Sequence, residues 1–112
     1  MAKEGVVRAY THHNNQVLGL VQVSCDSDFV GRNAEFLAFV DELAMHVAFE
    51  CPDTLEELLS SSLLTNDSKT IAQYVAEQRK KFGEDIKVIR FARWDTTFNP
   101  DVNQTLSVEK TG

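Results

Sequence analysis

Two aspartates one residue apart, Asp26 and Asp28, lie in the stretch SCDSDFVGRN, from Ser24 to Asn33, directly before the apolar pair Phe29 and Val30. Paired carboxylates are the raw material of an acid/base pair or a magnesium site. Either use needs companions, and no glycine-rich phosphate cradle, nucleophile elbow or third acid accompanies these two. Their plain role is turn formation through hydrogen bonds to nearby backbone amides, and for Asp28 also helping to start the following helix. The histidines give no metal pattern. His12 and His13 are adjacent, so on a strand they point to opposite faces, and His46 has no histidine or cysteine four residues away, whereas zinc needs three or four convergent ligands. His46 reads as a polar or packing residue of a helix. Cys25 and Cys51 are too far apart for a C-x-x-C redox or zinc motif, and each reads as a small buried hydrophobe. The chain is expected to be no enzyme and to use no metal and no cofactor.

That leaves the apolar pair. Phe29 has an ordinary role available, as a hydrophobic staple packed back on the helix start near Phe36 or Leu37. On residue patterning alone this is the favoured role. The other is contact with something outside the domain.

The elements around this stretch must fit one core, since 112 residues with 43% hydrophobic and 25% charged positions describe a single folded domain and not a disordered chain. Acidic residues outnumber basic ones by 17 to 11, for a formal charge of -6. Phosphate-backbone binding wants the opposite balance, so direct nucleic-acid binding is not expected. The basic cluster Arg79, Lys80, Lys81 reads instead as the cationic last turn of a helix, complementing its dipole. The N-terminus lacks the apolar core of a secretory signal, and no run approaches the roughly eighteen apolar residues of a membrane span. A reduced cytoplasmic setting, away from membranes, is the expectation.

GVVRAYT, from Gly5 to Thr11, and QVLGLVQVSC, from Gln16 to Cys25, read as a β-hairpin. Asn14 and Asn15 in its loop tolerate the positive φ that tight turns demand. Both faces of the second strand are apolar over Val17 to Val21, which places it centrally, covered on both sides. Phe36, Phe39, Val40, Leu43 and Val47 follow at helical spacing, with Asn33 as N-cap and Pro52 as stop. On the opposite face Glu35, Asp41 and Glu42 read as solvated. A short helical pattern surrounds Leu55, Leu58 and Leu59. Thr70 and Gln73 then form a capping box for a helix that ends at Gly83. The run DIKVIRFARWD, Asp85 to Asp95, is a third strand of mixed alternation.

The resulting fold class is α+β, a three-stranded antiparallel sheet with helices packed on one face and the other face in need of a cover. The expected core spans residues 1–96, followed by a polar tail over 97–112 that reads as an edge strand or disordered. The glycosylation triplet at Asn103, Gln104 and Thr105 is discounted on compartment grounds.

Read together, the opening EG of the hairpin, SCDSDFVGRNAEF, the helix segment LAMHVA and the closing GEDIKVIRFAR resemble the core domain of translation elongation factor Ts, from Glu4 to about Trp94. The resemblance implies a guanine-nucleotide exchange factor for the GTPase elongation factor Tu. In that family an Asp-Phe pair of the signature loop enters the GTPase near its magnesium and loosens GDP. Carried onto this chain, the pair is Asp28 and Phe29, with Ser27, Val30 and Arg32 beside it.

The chain departs from the family pattern in several ways. Ser27 stands for the usual threonine and Gly31 for the usual alanine, a change expected to loosen the loop. The family normally begins with a small helical docking domain, and here the first core strand is expected almost at Met1. One core half is present where the family often has two, with a shortened connection between Glu50 and Thr70. A single half with an open sheet face implies a homodimer. The alternative is a dimeric binding module of the same fold that lacks exchange activity.

Overall fold

A computed structural model describes residues 4–97; the expected tail, including the Asn103 triplet, falls almost wholly outside them. The chain forms β1 (Glu4–Thr11), β2 (Val17–Cys25), α1 (Asp28–Gly31), α2 (Ala34–Glu50), α3 (Leu55–Ser60), α4 (Ile71–Phe82) and β3 (Lys87–Asp95). The strands make one antiparallel sheet in the order β1-β2-β3, so β2 is central as its apolar pattern implies. The expected α+β class is the one observed. The one element added to the sequence reading is α1, a single helical turn where only a loop was expected.

Alternation on β2 assigns the two sheet faces. Val21, Val23 and Cys25 are buried under the helices, whereas Leu18 and Leu20 point to the opposite face and are half-buried. Among the described residues, helices cover the second strand on one side only, where cover on both was expected. The mixed alternation of β3 has a local cause. Gln22 pairs with Arg90 and Val23 with Val88, so Ile89 is the extra residue of a β-bulge. The bulge shifts the alternation by one, which keeps both Val88 and Phe91 on the helix side.

The long helix α2 supplies most of the core. Asn33 caps it, its side chain accepting from the amides of Glu35 at 2.8 Å and Phe36 at 3.2 Å. Phe36, Phe39, Val40, Leu43 and Val47 are each no more than 1% exposed. The helix ends at Cys51, whose left-handed backbone (φ 53°) closes the last turn ahead of Pro52. Cys51 is exposed and only Cys25 is buried, so one of the two expected core cysteines is instead a helix terminator.

Asp41 and Glu42 are not a free solvated face either. Asp41 takes a two-pronged ion pair from Arg8 of β1, at 2.7 and 2.9 Å. Glu42 accepts from Tyr74 of α4 at 2.8 Å and from Thr65 at 2.6 Å. Burial, aided by this bond to a carboxylate, pushes the Tyr74 hydroxyl far above its ordinary range. These carboxylates face outward on the helical wheel, but neighbouring elements reach them.

The second half closes the core through Leu58, Leu63, Ile71, Val75 and Ile86. Thr70 and Gln73 make the expected capping box, and Gly83 ends α4 in the left-handed region (φ 68°) after Arg79, Lys80 and Lys81 in its last turn. His46 is a packing residue, 1% exposed, with Nε2 at 3.1 Å from the Ser61 hydroxyl. That hydroxyl donates to the Leu58 carbonyl, leaving a lone pair for Nε2–H, while Nδ1 is buried with no acceptor for a second proton. Burial holds its pKa below the usual imidazole range against the pull of Glu50 and Glu42. His12 and His13 lie beyond the end of β1. Their rings pack together at 4.2 Å instead of diverging across a strand.

Helix α2 approaches the sheet closely at Gly19. A Cβ there would lie 2.2 Å from the Ala44 carbonyl oxygen and 2.8 Å from the Ala48 amide, both backbone atoms that cannot step aside. Replacing Gly19 by Ala should cost about 3 kcal/mol in urea unfolding, the upper end of ordinary overpacking. It is expected to lower the midpoint with little change in slope.

Candidate functional site

Strand β2 delivers the chain to one end of the sheet, where Cys25 is its last residue and α1 begins three positions later. Ser27 caps α1: its backbone is extended and its hydroxyl accepts from the Val30 amide at 3.3 Å. The carbonyls of Ser27, Asp28 and Val30 accept from the amides of Gly31, Arg32 and Asn33 at 3.0–3.1 Å, so this is a true helical turn running straight into the cap of α2.

A turn of this length points successive side chains in different directions, and here the directions separate the apolar pair. Val30 is buried at 3% exposure and anchors the turn in the core. Phe29 is 72% exposed, the largest exposure among the big hydrophobic side chains described. The staple expected on patterning alone does not form. Leaving a phenylalanine outside forgoes about 1.5–3 kcal/mol of burial, a gain that remains open to a contact outside the domain.

Around Phe29 the turn is polar. Asp28 and Arg32 face each other across one turn at 3.6 Å, with side chains 64% and 76% exposed, a pair too solvated to add much stability. Its importance lies in charge placement, with a carboxylate and a guanidinium beside one bare aromatic ring. Of the five residues singled out from the sequence, Asp28, Phe29 and Arg32 form the exposed surface. Ser27 and Val30 lie beneath and hold it.

Sequence reasoning missed Glu84, which sits just past the left-handed Gly83 at the end of α4. One of its carboxylate oxygens accepts from the backbone amides of Asp26 at 3.0 Å and Ser27 at 3.1 Å, and the other from the Ser27 hydroxyl at 2.5 Å. The Asp26 carboxylate in turn accepts from the Asp85 amide at 2.9 Å. The plain reading of Asp26, a turn held by bonds to nearby amides, is therefore not what is observed: its carboxylate bonds a loop 59 residues away. Beneath this clasp the Cys25 thiol donates to the Ser27 carbonyl at 3.3 Å, and burial, followed by the charge of Glu84, pushes its pKa up. Cys25 is thus a packing residue and not a nucleophile.

Among the described residues, no group of three His, Cys, Asp or Glu side chains converges to hold a metal ion. No helix among them is long and apolar enough to cross a membrane. What the site offers is a shaped, rigidly backed surface feature.

Fold and site together define a small α+β core domain that presents an Asp-Phe turn at one end of its sheet. The sequence pattern of the family described as Elongation factor TS matches residues 26–105, and the chain belongs to that family. Relatives named Elongation factor Ts include those of Clostridium kluyveri, 37% identical over 83% of this chain, and Nostoc punctiforme, 34% identical over 84%. The protein of the same name from Geobacter metallireducens is 27% identical over 84% of the chain. The chain spans about 30% of the length of the first two of these relatives and 64% of the third.

Gly31 is the family departure expected to loosen the turn. Its φ lies outside the left-handed region, and an added Cβ would meet the Cys25 sulfur at 3.6 Å and Val6 at 4.0 Å, ordinary contact distances. The glycine is therefore not needed for space. Gly31→Ala should stabilise the domain by about 0.4–1 kcal/mol through the unfolded chain, read as a higher urea midpoint.

Proposed function

We propose that this chain acts in the cytoplasm as an elongation factor Ts-like exchange factor that binds elongation factor Tu and promotes GDP release. In this reading Asp28 and Phe29 form the wedge. The single observation that supports it is the exposure of Phe29 on a turn that Val30 anchors in the core and Glu84 fastens at Ser27. An apolar ring that folding leaves in water gains its burial free energy when it enters a pocket on a partner.

The mechanism needs no covalent chemistry, and the chain would not be an enzyme in the usual sense. Magnesium bridges the GTPase and the phosphates of GDP and supplies much of the electrostatic hold on the nucleotide. A side chain that occupies space near the ion's ligands stabilises a form of the GTPase in which those ligands are displaced, and that form holds GDP less tightly. Burying Phe29 would contribute about 1.5–3 kcal/mol, enough to shift GDP affinity by about one to two decades. By linkage, GDP with magnesium would weaken binding of this chain by the same factor. Asp28 would orient the wedge through hydrogen bonds, and Arg32 would supply a charge at its rim.

The functional unit in this reading is the core over residues 1–96, working as a homodimer. The sheet face opposite the helices carries Val7, Ala9, Leu18, Leu20, Ala92 and Trp94, with Val7 and Trp94 more than half exposed. An apolar face on a twisted sheet is self-complementary under two-fold symmetry, which supports a second copy as its cover. Solution mass by sedimentation is expected to correspond to two chains, and Leu20→Glu at the centre of that face should shift it to one. A strict monomer at micromolar concentration would contradict the dimer.

Exchange is tested by release of a fluorescent GDP analogue from elongation factor Tu. The chain should accelerate release, and Phe29→Ala should remove about ten- to a hundredfold of that acceleration, with Asp28→Ala lowering it less. Binding without acceleration would leave the chain a binding module of the same fold.

A further inference from the structure

The turn that carries Phe29 cannot hold itself. Four residues are far fewer than a helix needs to be stable on its own, and of the apolar pair only Val30 packs into the core. A staple packed on the helix start is the ordinary fate of an aromatic at this position, and Leu37 in the first turn of α2 is only half-buried. Something outside the turn must fix its orientation.

The entry to the turn is fastened at one point. Glu84 takes three hydrogen bonds from Asp26 and Ser27, and the Asp85 amide returns one to Asp26, so two loops 57 to 59 residues apart are joined by four bonds. The carboxylate also sets the direction of the cap. Because the Ser27 hydroxyl donates its proton to Glu84, its lone pairs are left for the Val30 amide at 3.3 Å, and that contact starts the turn. Glu84 itself follows the left-handed Gly83 and precedes β3, so the end of α4 and the start of the edge strand locate it. A carboxylate that accepts from two backbone amides and a hydroxyl makes charge-assisted bonds, stronger and more directional than neutral ones.

We infer that Glu84 is a positioning residue for the wedge, holding the Asp26–Ser27 entry so that Phe29 is presented outward instead of folding down onto α2. The inference rests on the exchange reading for its functional consequence, while its structural half stands independently. Glu84 touches no partner; it acts through Phe29.

The test compares Glu84→Ala, Glu84→Gln, Phe29→Ala and the Phe29→Ala/Glu84→Ala double variant in the full chain. The first readout is amide hydrogen exchange in the free protein. Glu84→Ala should speed exchange at Asp26, Ser27 and Val30 while leaving the α2 amides unchanged. Glu84→Gln keeps an acceptor oxygen for the two backbone amides and should restore most of the protection. The second readout is GDP release from elongation factor Tu. Glu84→Ala should slow it about ten- to a hundredfold, the loss of a few charge-assisted bonds, and the double variant should be no slower than Phe29→Ala.

A residue with a merely structural role would add its loss to that of Phe29→Ala, so additivity overturns the inference. Unchanged exchange at Asp26 and Ser27 in Glu84→Ala overturns it as well, whatever the release assay shows. If Phe29→Ala is impaired and Glu84→Ala is not, the wedge stands and the role of Glu84 falls. If Phe29→Ala is unimpaired, the wedge reading falls first and the functional half of this inference goes with it.

Discussion

Burial of one face of β2 beneath α2 is the contact from which the rest of the domain follows. Val21, Val23 and Cys25 on the strand meet Phe36, Phe39, Val40, Leu43 and Val47 on the helix, all nearly inaccessible to water. The approach is close enough that Gly19 leaves no room for a side chain against the backbone of Ala44 and Ala48. A helix seated this tightly on the central strand fixes its own start. That start, capped by Asn33, follows directly from the turn carrying Phe29. The position of the site is therefore set by core packing, although its chemistry is entirely on the surface.

The same contact is one-sided, with consequences at two places. On the sheet, no helix among the described residues covers the apolar side chains that point away from α2, and Leu18 and Leu20 of the central strand are only half-buried. At the sheet end, α1 is too short to bring its own stability and depends on what neighbouring elements lend it. Val30 supplies the apolar anchor and Glu84 the polar one. The result is an exposed phenylalanine on a turn that is rigid from below, with Asp28 and Arg32 beside it. In the proposed exchange reading, preorganisation of this kind would lower the ordering cost of an encounter, because Phe29 already points outward.

Much of the architecture was legible in the residues because it rests on local physics. Asn33, the Thr70 and Gln73 capping box and Gly83 mark helix ends through hydrogen bonds and backbone preferences that operate within a few residues. The helical spacing of Phe36 to Val47 and the alternation of β2 report which faces are buried. The irregular alternation of β3 was visible too, although only the pairing with β2 shows that Ile89 is a bulge. Where local reasoning went astray, long-range contacts had intervened. Asp41 and Glu42 look solvated on a helical wheel, yet Arg8 and Tyr74 arrive from distant parts of the chain. Cys51 has the composition of a core residue and the backbone of a helix cap.

By themselves the residues determined an α+β domain, its family and the identity of the turn that bears Asp28 and Phe29, since each of these is carried by periodicity, caps or a local signature. They did not determine which way Phe29 points. A hydrophobic residue just before a helix is ordinarily a staple, and nothing within ten residues of it excludes that. The orientation was decided by tertiary structure, through Val30 taking the core position and through a glutamate 57 residues further on accepting the amides that begin the turn. Burial and hydrogen bonding between segments remote in sequence depend on the fold as a whole, and a local reading of SCDSDFVGRN contains neither.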